Sequence, residues 1–197
     1  MEEWIRKVRL REGFWKQRSD KNREITMRAV WDRFADTGRI GAFRCDWKEG
    51  MEHKPDVYWD SDVAKWMEAA AYLLGKEEIP WIRERLEWLI DRIEENQEPC
   101  GYFNTHFMTV EPGRRFTDQD AHELYCAGHL MEAAAAYLEC CGETRFLYAM
   151  CRYADYIYEI FYVQKSAAFS VPGHEEIELA LIRLYRVTGE RRYLELG

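Results

Sequence analysis

An all-α fold built from paired helices is predicted by three features of the 197-residue sequence. Helix start and stop signals recur along its length, strand alternation is almost absent, and one unit repeats. The repeat is visible when terminating glycines are superposed: AAYLLGKEEI, AAYLECCGETRFL and LIRLYRVTGERRYL each place an apolar helix, a glycine, a charged pair and a new helix in the same order. Gly142 and Gly189 stand 47 residues apart, a period typical of stacked helical hairpins.

The elements follow in order. Residues 1–18 read as an extended N-terminal segment, with strand-like alternation in VRLREGFW at 8 to 15, and residues 19–197 as one domain of hairpins. A first helix ends near Gly38, in DRFADTGRI. The next, WDSDVAKWMEAAAYLLG, runs from a cap at Asp60 or Ser61 to Gly75. In IPWIRERLEWLIDRIEEN the residues Ile82, Leu86, Leu89, Ile90 and Ile93 form one stripe while the charges face elsewhere, so this helix is half exposed. TDQDAHELYCAGHLMEAAAAYLECCG spans 118 to 142, and TRFLYAMCRYADYIYEIF and PGHEEIELALIRLYRVTG complete the series at Gly189.

The helices at 60–75 and 118–142 are alanine-rich almost all round, as expected of helices buried on both sides. They form an inner layer under outer helices such as 79–96. Such hairpins stack as an open solenoid or close into an (α/α) barrel, and a closed toroid of six needs roughly 280 residues or more. We therefore expect only about the first half of such a toroid here. ERRYLELG stops just after a new helix begins, so an apolar inner face is expected to be uncovered, and the isolated chain to form a homodimer through it or aggregate.

Composition narrows the function. With 36 acidic against 28 basic residues and a net charge of −8, the chain offers no general attraction to nucleic acid or anionic lipid. Met1-Glu2-Glu3-Trp4 lacks a signal-peptide n-region, and no apolar run approaches the roughly 18 residues that span a bilayer. The reading is cytoplasmic, with neither a membrane nor a nucleic-acid partner. Six cysteines without C-x2-C spacing are expected to be reduced, and Cys140-Cys141 to pack at a helix end before Gly142.

Candidate chemistry gathers at the helix mouths. HELYCAGH puts His122, Tyr125, Cys126 and His129 on one helical face, but Cys126 stands where a zincin helix needs its second histidine, and His122 and His129 lie about two turns apart, too far to share one metal ion easily. His122 is expected at the mouth, meeting a ligand or a carboxylate, with Cys126 and His129 packed deeper. GYFNTHF, with Tyr102 and Asn104, is either a capping loop or a sugar platform, since aromatic faces and amide edges suit a ring of hydroxyls over C–H faces. His174 occupies the corresponding mouth of a later inner helix and could pair with Glu178 at i+4, whereas Glu175 and Glu176 complement the helix dipole. Asp62 lies in the first turn after WDS. Trp59 and Trp66 are read as core.

Taken together, DSDVAKWMEAAAYLL, GYFNTHF, HELYCAGHLMEAAAAY and PGHEEIELALIRLYRVTGERRYL strongly resemble the β-L-arabinofuranosidases of glycoside hydrolase family 127, and VRLREGFWKQR and TGRIGAFR look like its N-terminal segments. The resemblance covers nearly the whole chain in order. It implies an (α/α)6-barrel catalytic domain, a carbohydrate substrate of plant origin and a retaining hydrolysis of a terminal sugar. It also implies that His122 and His174 contact the sugar, with Tyr102, Asn104, Asp62 and Tyr125 placed near it.

In that family a zinc-bound cysteine is the nucleophile and a glutamate the acid/base, the zinc being held by three cysteines and a glutamate from a Glu-x-Cys and a later Cys-Cys motif. Those motifs belong to the second half of the barrel, and Cys140-Cys141, at the helix end before Gly142 where the family has no ligand, is not the zinc-binding pair; the chain is therefore expected to supply substrate contacts, no metal ligand and no catalytic residue, and to be inactive alone. Rival readings are an (α/α)-barrel sugar epimerase or lyase, in which the histidines would move protons, and a non-catalytic helical-repeat binding module.

Overall fold

The computed structural model describes residues 8–197, and among them there is no strand. Helix α1 (Phe14–Lys21) continues through a π turn (Asn22–Thr26) into α2 (Met27–Asp36), and a short α3 (Arg39–Ala42) follows. The extended segment expected over 1–18 is thus helical from Phe14, and its first seven residues lie outside those described. The alternation in VRLREGFW has no neighbouring strand to pair with, whereas Lys16 reaches Asp20 at i+4, a spacing that supports a helix.

Three hairpins make up the rest. Helix α4 (Trp59–Leu74) precedes α5 (Pro80–Asn96), a short α6 (Thr105–Thr109) leads to α7 (Glu123–Cys141) and α8 (Arg145–Tyr158), and α9 (Glu176–Thr188) turns into α10 (Arg191–Leu196). The inner layer is α4, α7 and α9, with α7 in the middle, packed against both neighbours. The outer helices α5 and α8 cover it. The predicted stripe of α5, from Ile82 to Ile93, is buried throughout, as is the alanine run 133–136 of α7. Gly142 and Gly189 end their helices in the left-handed conformation that glycine adopts without a Cβ clash.

Small residues let the inner helices approach. A Cβ on Gly75 would stand 2.8 Å from Cys140 Cβ, so the first cysteine of the Cys140-Cys141 pair packs at the helix end as expected. No disulfide forms among the described residues. Across all three helices, Arg183 of α9 reaches Glu68 at 3.0 Å and the Tyr72 hydroxyl at 3.0 Å on α4, and Glu132 and Glu139 on α7. On the far side of α9, Leu179 and Ile182 are exposed.

Two helix starts differ from expectation. No side chain caps α4: Ser61 donates its hydroxyl to the Tyr58 carbonyl (2.7 Å), and Asp60 turns into the core. Helix α7 starts at Glu123 and not at 118, because the Asp118 carboxylate accepts from the Asp120 N–H at 3.0 Å and holds TDQD as a turn. His122 then enters the helix with φ of 59°, in the left-handed region. That backbone is uncommon outside glycine.

Candidate functional site

The inner helices all begin at the same end of the bundle, and their first turns form an aromatic and histidine wall. His122 and His174 stand with ring centroids 5.1 Å apart, and Tyr125 lies 4.7 Å from His174 and 5.7 Å from His122. Tyr58, from the turn before α4, meets His122 edge-on at 6.2 Å. His174 and Tyr58 are exposed and His122 and Tyr125 half-buried, so the wall opens to solvent. His122 Nδ1 is nevertheless buried without a hydrogen-bond partner, and a buried polar atom left unpaired is costly unless something completes it.

Backbone contact sets the spacing of the two histidines. Gly173 presses on the loop before α7, where a Cβ would stand 2.6 Å from the Gln119 carbonyl oxygen. The two mouths are stapled main chain to main chain, and His122 and His174 inherit that separation.

Beneath the wall lies a polar layer. Lys65 of α4 donates to the Tyr125 hydroxyl at 2.9 Å and also sits over the ring. One turn below Tyr125, His129 Nδ1 lies 3.1 Å from Glu176 Oε1. Burial, and then the Lys65 charge, push the His129 pKa down to about 4. Glu176, half-buried and near Glu132 and Glu68, is pushed up to about 7 by desolvation and then by those carboxylates. Asp62 borders this layer: its charge opposes the lowering of the His129 pKa, while its carboxylate accepts from Arg39 Nε at 2.8 Å, and Arg39 in turn covers Trp59.

Tyr102 and Asn104 are brought not to the mouth but behind it. Tyr102 is 0% exposed, ringed by Phe116, Tyr153 and Tyr156, and donates its hydroxyl to the Glu123 carboxylate. Glu123 also accepts the Phe116 N–H at 2.6 Å, and its burial raises its pKa to about 7. Asn104 caps α6 by accepting from the Phe107 N–H at 3.0 Å, while Thr105 donates from its N–H (2.8 Å) and hydroxyl (2.5 Å) to buried Asp60. GYFNTHF therefore acts as an internal brace. A polar loop atom without a partner, Asn104 Nδ2, is enclosed within it.

Other expectations resolve in the same way. Cys126 is buried and its thiol donates to the Val57 carbonyl at 3.3 Å; burial holds its pKa well above the ordinary thiol value and favours the protonated form. Trp66 is core, donating its indole N–H to the Met27 carbonyl at 2.9 Å. The His174–Glu178 pair does not form, because α9 starts only at Glu176 and His174 precedes it. Lys65, Tyr58 and the partnership of His129 with Glu176 were not singled out by the sequence; the only signal for the last is Gly128, whose missing Cβ would meet Glu176 Cγ at 2.9 Å. Among the described residues no three His, Cys, Asp or Glu side chains converge to hold a metal ion.

Comparison with known proteins bears on the family and the fold. Residues 7–197 match the model of the beta-L-arabinofuranosidase GH127 catalytic domain. A non-reducing end beta-L-arabinofuranosidase of Bifidobacterium longum subsp. longum is 37% identical over 146 residues, which are 72% of this chain and 22% of that protein. The crystal structure of a GH127 beta-L-arabinofuranosidase from Geobacillus stearothermophilus superposes with a TM-score of 0.88 at 41% identity, covering 96% of this chain and 31% of its own. The GH127 beta-arabinofuranosidase BT3674 gives 0.86 at 27% identity, covering 97% and 32%. The chain thus spans about a third or less of these relatives, as part of an (α/α) barrel, and it belongs to the GH127 β-L-arabinofuranosidase family of glycoside hydrolases.

Proposed function

We propose that this chain forms the sugar-binding wall of a glycosidase that hydrolyses terminal β-L-arabinofuranosyl groups from plant-derived glycans with retention of configuration. The observation that carries the reading is the juxtaposition of His122 and His174 with Tyr125 at the open mouth of three inner helices. Imidazole nitrogens both donate and accept, as sugar hydroxyls do, and the exposed Tyr58 ring beside them offers an aromatic surface to C–H groups. The unpaired, buried Nδ1 of His122 is the atom a hydroxyl would complete.

On this reading Asp62, Tyr102 and Asn104 support the wall without touching the sugar. The zinc and thiolate chemistry that the family resemblance implies finds no fitting ligand set among the described residues. On this reading the bond-breaking groups lie in the remainder of the family's longer domain, and the work assigned to this chain is to bind and orient. A cytoplasmic location belongs to the same proposal; no helix of the described residues is long and apolar enough to cross a membrane.

The test is product analysis with the whole protein and a disaccharide ending in β-L-arabinofuranose. Released L-arabinose with uptake of one water supports the proposal. An isomerised or unsaturated sugar would replace it by the epimerase or lyase reading, and binding without turnover by the binding-module reading.

A further inference from the structure

All three inner helices meet at the layer beneath the wall. His129 Nδ1 lies 3.1 Å from Glu176 Oε1, bridging α7 and α9, and Gly128 is what allows α9 so near: a Cβ there would stand 3.1 Å from the Glu176 carbonyl oxygen. Lys65 brings in α4 through its 2.9 Å bond to the Tyr125 hydroxyl. The Tyr125 ring is held edge-on against His129, centroids 4.5 Å apart, and carries His174 on its other contact at 4.7 Å. An ammonium has no lone pair, so the Tyr125 oxygen accepts from Lys65 and its own hydrogen is left to point elsewhere.

We propose that His129, Glu176 and Lys65 are positioning residues that, through Tyr125, fix the orientation in which His174 meets a terminal sugar. This rests on the reading of the mouth as a sugar site, and goes beyond it by assigning work to residues that touch no sugar.

The charges around the pair support a proton-dependent lock. His129 faces Lys65 and Asp62 from α4 and His174 from the loop before α9; burial and the two cationic or basic neighbours keep it neutral, against the pull of Asp62. Glu176 faces Glu132 from α7, Glu68 and Lys65 from α4 and Glu175 beside it; burial and the three carboxylates favour its acid form, against Lys65. Glu68 and Glu132 are themselves held by Arg183. In the acid form Glu176 donates its O–H to Nδ1 of the neutral His129 and leaves Lys65 to Tyr125. On net loss of one proton the acid hydrogen stays on His129 Nδ1, the imidazole's Nε2 proton goes to solvent, and the Glu176 carboxylate so formed accepts from Nδ1–H and competes with the Tyr125 oxygen for the Lys65 ammonium.

KM of the whole protein for an aryl β-L-arabinofuranoside, measured from about pH 5.5 to about pH 8.5, tests this. For the unaltered protein KM is expected to rise about threefold or more through a transition near pH 7. Glu176→Gln keeps a neutral donor and does not titrate, so its KM should stay flat near the low-pH value. Lys65→Met, at an exposed position that folding tolerates, should give a flat KM raised about fivefold at every pH. The proposal is overturned if either variant keeps the original pH dependence, or if the unaltered protein shows none. Should the unaltered protein fail to bind the arabinofuranoside at any pH, the sugar-site reading falls and takes this one with it; normal binding that both variants leave untouched removes this proposal alone.

Discussion

The same three helices carry two very different polar regions. At the mouth, His122, Tyr125 and His174 hold one another by ring contacts and leave His122 Nδ1 and His129 Nε2 unpaired. Two to three turns further along, Arg183 is gripped by Glu68, Glu132 and Glu139, and only Glu132 Oε1 is left over. The second region spends its charge internally and joins the helices; the first keeps its hydrogen-bonding capacity for something outside the chain. Unpaired imidazole nitrogens beside an open mouth, against a guanidinium shared among three carboxylates, distinguish a surface that can take a ligand from a brace.

The difference can be broken most strongly from the scaffold end. Arg183→Ala leaves buried Glu132 and half-buried Glu68 and Glu139 without their shared guanidinium, and the loss of a buried ion-pair partner typically costs about 3–5 kcal/mol. Chemical denaturation should show a loss of that order; a change under about 1 kcal/mol would mean that the clamp does not join the helices.

A pH series sharpens the boundary between the two ends through Glu123, which opens α7. Its pKa is raised in the fold, from the usual 4.5 to about 7. Stability from this group is therefore full below about pH 4.5 and is lost as pH rises toward 7, by at most about 3 kcal/mol. Glu123→Gln should flatten that part of the stability curve. An unchanged slope would show that the carboxylate titrates normally and that Tyr102 does not hold it as an acid.

How much of this could be read in advance differs between the two regions as well. The stripe of α5 and the glycine stops at 142 and 189 were legible because they depend only on local period and local φ. The helix at Phe14 was not, since its apolar residues are exposed and unsegregated, and the start of α7 was displaced by an Asx turn that competes with the helix locally. His122 and His174 were legible as motif residues at matching mouths. The pairing of His129 with Glu176 was hidden, because it depends on which inner helices are neighbours, and Tyr102 was misjudged because an aromatic in a loop gives no sign of the buried carboxylate it serves.

Between the two ends, Gly128→Ala would drive a methyl into Glu176 and part α7 from α9 beside the pair, at a cost of about 1–3 kcal/mol. Its sugar affinity should fall further than its stability; a stable variant with unaltered KM would detach the helix approach from the site. The smallest effect on the fold belongs to His122→Ala and His174→Ala. Each should lower kcat/KM of the whole protein about tenfold or more, with a melting temperature within about 2 °C of the original. Equal kinetics in both would remove them from the site.

Gly173 has a consequence for redesign. Because main chain rests on main chain between its loop and Gln119, the gap between His122 and His174 is a fixed gauge that side-chain changes on the wall do not reset. Trimming Tyr125 or Tyr58 would make the slot deeper or emptier, yet no wider. To accept a bulkier ring the two loops must be parted, and a residue with a side chain at 173, or an insertion beside it, is the shim that parts them.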